Sequence, residues 1–147
     1  MDNLKLIDAI CEAFDANFMP TAEATFCNLS VQYVLGRFGY DKMRGMDADQ
    51  MVDYMSRSSD FSPVTDMAQA QALANGGSVV IAGYQNVPHG HVVVLRPGVM
   101  EFSGKWNCLT PKCSNVGLRP VGQLGKGLSL AFQDVPKIWV LNLPEEA

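Results

Sequence analysis

Two short runs, Ser78-Val79-Val80-Ile81-Ala82 and His91-Val92-Val93-Val94-Leu95, set the architecture. Both are rich in β-branched residues and free of charge between their ends, and the loop that separates them carries Asn86, Pro88 and Gly90. That combination reads as two adjacent strands that pair across a turn. Ile138 to Leu143 has the same character and reads as a further strand. Gly98 to Gly127, rich in Gly and Pro, is expected to be mainly irregular, with one short strand at Val99 to Phe102.

Toward the amino terminus the period changes from two to between three and four. Ile7, Ile10, Cys11, Phe14 and Phe18 mark one face of an amphipathic helix from Leu4 to Phe18, closed by Pro20. Val31, Val34, Leu35 and Phe38 mark a second helix that starts near Cys27 and stops at Gly39. Asp47 with Gln50 three residues later predicts a capped third helix through Met51, Val52 and Met55, ending in the polar run Ser56 to Ser59. Thr65 is read as the cap of a fourth, Met67 to Ala74, stopped by Asn75-Gly76-Gly77. Helices first and strands later is the α+β pattern: N-terminal helices packed on a small antiparallel sheet.

The chain of 147 residues is 48% apolar and 18% charged, which fits one continuous domain over residues 1–147 with a single core and no need of a disulfide or metal staple. Eleven Lys and Arg against fifteen Asp and Glu give a net charge of -4 without a basic run, so nucleic acid is not an expected partner. No apolar stretch approaches the ~20 residues that span a bilayer, so no membrane insertion is expected. Met1-Asp2-Asn3 lacks the basic start of a signal peptide, so synthesis in the cytoplasm without one is the expectation.

Chemistry centres on Cys27. A thiol in the first turn of a helix meets the positive end of the macrodipole and unpaired N–H groups, both of which favour thiolate. The plain alternative is a small buried hydrophobe, the reading that suits Cys11 on its apolar helix face. Only two histidines exist, His89 and His91, so an imidazole partner must come from this pair. His91 opens a strand directly after Gly90, which can hold a ring rigidly over a helix terminus, whereas His89 lies in the loop, where it could line a substrate groove. Cys108 and Cys113 leave two other readings open: a disulfide, or zinc ligation together with the histidines. Acyl transfer to a cysteine thiolate needs neither metal nor cofactor. No Walker A, Gly-x-Gly-x-x-Gly or His-Glu-x-x-His pattern is present.

Phe26-Cys27-Asn28-Leu29-Ser30-Val31, Met51-Val52-Asp53, and the run Ala68 to Leu95 with Val80-Ile81-Ala82-Gly83 and Gly90-His91-Val92-Val93-Val94 resemble the type VI secretion amidase effectors. Those are papain-like cysteine hydrolases of the NlpC/P60 and CHAP kind. The likeness covers about two-thirds of the chain and resumes at Val121-Gly122-Gln123. It implies an antibacterial toxin that hydrolyses an amide of the peptidoglycan stem peptide, between D-glutamate and diaminopimelate. Cys27 matches the nucleophile and His91 the base. The third group, which orients the imidazole, falls nearest Cys113, with Asn115 in reserve.

Asn28, His89 and Asn115 are the expected substrate contacts, and Lys105, Lys112 and Arg119 could offer positive charge to substrate carboxylates. The resemblance also implies delivery to the periplasm of a target cell and a cognate immunity protein that plugs the groove. Two departures stand out. Asn28-Leu29 replaces the usual Ser-Gly pair after the nucleophile, and Pro97 to Asn107 matches poorly. A phage endolysin with the same chemistry, and a non-catalytic binding module on a hydrolase scaffold, are the competing readings.

Overall fold

The computed structural model describes residues 3–15, 27–85, 90–115 and 123–142. In chain order the elements are α1 (Leu4–Asp15), α2 (Cys27–Arg37), α3 (Ala48–Arg57), β1 (Phe61–Pro63), α4 (Met67–Asn75), β2 (Val80–Tyr84), β3 (His91–Leu95), β4 (Glu101–Ser103), β5 (Cys108–Thr110), β6 (Lys112–Asn115), β7 (Gln123–Gly127), a 3-10 turn (Leu128–Leu130) and β8 (Lys137–Leu141). The α+β reading holds. Six strands form one antiparallel sheet in the order β1-β8-β2-β3-β6-β7, and β4 and β5 form a separate hairpin.

The helices follow local rules. On α1 the buried stripe is Leu6, Ala9, Ile10 and Ala13, while Ile7 and Cys11 are only half-buried. The expected stripe is therefore rotated toward Leu6, Ala9 and Ala13, with Ile10 common to both faces. Phe18 and Pro20 lie outside the described residues. α2 ends in a Schellman arrangement, with Gly39 at φ 78° and the N–H of Tyr40 reaching back to the Leu35 carbonyl. α3 carries the full capping box of Asp47 and Gln50. The cap of α4 is Asp66, not Thr65: its carboxylate accepts from the Ala68 N–H at 3.0 Å.

β2 and β3 pair in the register Tyr84↔His91, Gly83↔Val92, Ala82↔Val93. Val80 to Gly83 and Val92 to Leu95 carry no polar alternation because both faces of the sheet are covered. Val79, Ile81, Val92, Val94, Trp139 and Leu141 pack with α1, α2 and α3, whereas Val80, Ala82, Val93, Leu95 and Ile138 pack with Ala70 and Ala74 of α4, Leu128 and Phe132. The N-terminal helices thus divide: three on one face and α4 on the other.

The region expected to be mainly irregular contains four strands. β6 (KCSN) and β7 (QLGKG) hold few apolar residues, so their pairing rests on backbone hydrogen bonds and leaves no period to read. β1, only three residues long, pairs with β8 at the sheet edge. Its outer side is blunted, since the Phe61 N–H turns to Ser58 and Pro63 has none. No helix among the described residues is long and apolar enough to cross a membrane.

Candidate active site

Cys27 is the first residue of α2 and is buried. Three backbone N–H groups point at its sulfur: that of Val92, that of Asn28 and its own. The last two are the unpaired donors of a helix start. The first comes from the sheet, and the β3 ladder explains it. Arg96 donates to the Lys112 carbonyl on the β6 side, and alternation turns the N–H groups of Val94 and Val92 the same way. The described part of β6 stops at Asn115, one residue short of Val92, where the thiol of Cys27 takes the donor.

Burial pushes the Cys27 thiol above the ordinary cysteine range, and the three N–H groups oppose that shift without cancelling it. This corrects the expectation of a resting thiolate. Desolvation outweighs the helix terminus, so the proton stays on sulfur until a base removes it.

Residues 27 and 91, distant in sequence, are brought to one place: the sulfur rests on the peptide that joins His91 to Val92. The pleat turns the His91 side chain, with Val93 and Leu95, toward the face opposite α2, where its ring meets that of Phe132 at 5.1 Å and 53°. Cys27 belongs to the core on the α1–α3 face, so its thiol meets the backbone beside His91 while the ring, expected over the helix terminus, packs on the other face of the sheet because the pleat turns it there. Gly90 brings α3 equally close. A Cβ there would overlap the Asp49 carboxylate and stand 3.0 Å from the Tyr84 carbonyl, so a side chain at this position would force the carboxylate or the backbone to move. Gln85 ties down the other end of the loop by donating to the Asp49 carbonyl at 3.1 Å.

Cys113 is not brought to this place. It pairs with Leu95, four residues along β3 from His91, a span of about 13 Å. It is fully buried, and burial alone pushes its thiol up to about 12. Asn115, at the other end of β6, lies two residues nearer to the His91 end of the ladder and pairs with Gln123.

The Asn28 side chain is engaged in the fold: its Nδ2 donates to the Met46 carbonyl at 3.0 Å beside Gln32 at 2.9 Å, which ties α2 to the loop before α3. Lys105 donates to the Ser129 and Phe132 carbonyls, and Lys112 pairs with Glu101 at 3.3 Å, so neither offers a free cation. His89 and Arg119 lie outside the described residues. Cys108 sits on β5, in the separate hairpin, and all four cysteines are free thiols. Among the described residues no group of three His, Cys, Asp or Glu side chains is placed to hold a metal ion.

Two parts of the site carry no sequence signal: the Val92 N–H, which belongs to the backbone, and the Phe132 ring, which lies in a stretch without periodicity. The sequence matches no protein-family model, and no curated protein matches it.

Proposed function

We propose that this protein is a cysteine amidase of the papain-like NlpC/P60 kind that hydrolyses peptidoglycan stem peptides, with the bond between D-glutamate and diaminopimelate as its target. One observation carries the reading: a cysteine at a helix start, its sulfur against the N–H that follows the histidine of a strand start. Such a cysteine can attack an amide carbonyl once its proton has gone to the imidazole.

In this mechanism His91 takes the Cys27 proton as substrate arrives, the thiolate adds to the carbonyl carbon, and His91 returns the proton to the leaving amine. Water, deprotonated by His91, then splits the thioester and restores the thiol. The N–H groups of Val92, Asn28 and Cys27 stabilise negative charge on sulfur, and the Cys27 N–H is the natural donor to the oxyanion once the sulfur is acylated. Asn115 is assigned the role of orienting the imidazole. Its amide oxygen can accept from a ring N–H, and Cys113 lies too far along β6 to do so.

The same reading makes the protein an antibacterial effector that acts in the periplasm of a target cell and is neutralised in its producer by an immunity protein. Purified wild-type protein incubated with muropeptides should release products that mass spectrometry assigns to one amide bond, and Cys27→Ala should release none. An inert wild type, or hydrolysis retained by Cys27→Ala, overturns the proposal. A producer in which no neighbouring gene product blocks the activity would overturn the immunity claim alone.

A further inference from the structure

We infer that the loop of the β4–β5 hairpin positions the His91 imidazole by holding Phe132 beneath it. The kinetic consequence rests on the hydrolase reading; the geometry stands apart from it. Phe132 lies between the 3-10 turn and β8, in a stretch that takes no part in the sheet. Its ring is buried and supports the half-buried ring of His91.

What fixes this stretch is the hairpin loop. Lys105 Nζ donates to the Ser129 carbonyl at 2.7 Å and to the Phe132 carbonyl at 2.6 Å, and Trp106 Nε1 donates to the Gln133 carbonyl at 3.2 Å. Three carbonyls within five residues are thus held by two neighbouring side chains. Charge-assisted bonds of the lysine kind are roughly twice as strong as neutral ones.

The loop that supplies them is itself constrained. The Trp106 N–H donates to the buried Ser103 hydroxyl at 3.1 Å, Asn107 adopts φ 53°, which asparagine tolerates, and Lys105 Nζ lies 5.6 Å from the centre of the Trp106 ring. A chain of contacts therefore runs from the hairpin through the backbone of residues 129–133 to the face of Phe132 and on to His91. Lys105, Trp106 and Phe132 are positioning residues: they act on the reaction only through the imidazole.

Proton NMR of the histidine rings tests this directly, because the chain has two histidines and His89→Gln assigns them. In wild-type protein the Phe132 ring current should displace the His91 ring protons, and Phe132→Leu should abolish that displacement. Lys105→Met, which leaves every aromatic ring in place, should move the same resonances toward unperturbed values, and Lys105→Arg should restore them. On muropeptides Lys105→Met should lower kcat by about tenfold with KM unchanged, short of the ~100-fold that a misplacement of about 1 Å costs.

Resonances unmoved in Lys105→Met, an arginine variant no better than methionine, or an unchanged kcat overturns the inference. Should Lys105→Met unfold the chain, Trp106→Phe, which removes only the bond to Gln133, is read by the same resonances and the same rule. A wild type that cleaves nothing sinks the hydrolase reading, and the ring resonances still decide the positioning.

Discussion

The N–H of Val92 donates to the sulfur of Cys27, and through that bond α2 is fastened to the start of the central strand. The bond serves two ends. In the resting fold it pairs a ladder donor that lies beyond the described part of β6, and in the proposed reaction it stabilises the thiolate as the proton leaves. Burial lifts the thiol pKa, so in the proposed reaction the sulfur would gain nucleophilicity only as a base takes its proton.

Alkylation follows from this. Cys27 should react with iodoacetamide more slowly at pH 7 than an unhindered thiol of pKa about 8.5, and its rate should keep climbing above that pH. Cys11 and Cys108 are half-buried, so peptide mapping by mass spectrometry is needed to follow each site separately. A Cys27 rate that levels off below pH 8 would show that the helix terminus outweighs burial.

The fold was legible where side chains write the pattern. Met51, Val52 and Met55 behind the Asp47 cap, and the apolar runs of β2, β3 and β8, gave elements whose existence and approximate ends match the structure, together with the pairing of β2 with β3. It was illegible where the backbone alone does the work. β6 and β7 pair without an apolar period, and β1 is three residues ending in proline. In the site, Cys27 and His91 are visible as residue types at element starts. The failure of Cys113 as an orienting group is not, because it depends on a register that places it opposite Leu95.

Cys113 should therefore matter to stability and not to turnover. Below about pH 8.5 its thiol is protonated in both folded and unfolded chains; between there and about 12 the unfolded chain loses the proton that the folded one keeps. Stability contributed by this group is full at neutral pH and falls as pH rises, with a slope approaching ~1.4 kcal/mol per unit. Urea unfolding from pH 8 to 10.5 should show a shallower decline for Cys113→Ala than for wild type, while muropeptide cleavage at pH 7 persists. Asn115→Ala should lose most of its kcat. Equal slopes, or a dead Cys113→Ala that is still folded, would refute the division of roles.

Gly90→Ala tests the close approach of α3 to the strand start. The new methyl overlaps the Asp49 carboxylate and crowds the Tyr84 carbonyl, so either the carboxylate or the peptide before His91 shifts. Cleavage should fall by about tenfold or more, in line with the rate cost of small displacements in a catalytic constellation. Asp49→Ala in the same chain removes the nearer obstacle and should recover part of the loss, a coupling that a double-mutant cycle measures. Additive losses would mean that the carboxylate is not what excludes a side chain at position 90.

The firmest stability prediction concerns Gln71, a buried amide on α4 that completes the ladder where β3 and β6 part. Its Nε2 donates to the Arg96 carbonyl at 2.9 Å and to Asn75 Oδ1 at 3.1 Å, while its Oε1 accepts from the Lys112 N–H at 2.9 Å. Asn75 Oδ1 passes the network on by accepting from the Gly98 N–H at 2.8 Å. Leucine has nearly the same volume but satisfies none of these groups, and each buried group left without a partner costs about 1–3 kcal/mol. Gln71→Leu should therefore lower the unfolding free energy by roughly 2–4 kcal/mol in urea titration, although it makes α4 more apolar. A loss under about 0.5 kcal/mol would mean that water or a shifted backbone replaces the amide. Gln71→Glu keeps the acceptor for Lys112 but strips the donors, so it should be at least as damaging at pH 7 and recover as acid protonates the new carboxyl and returns one donor.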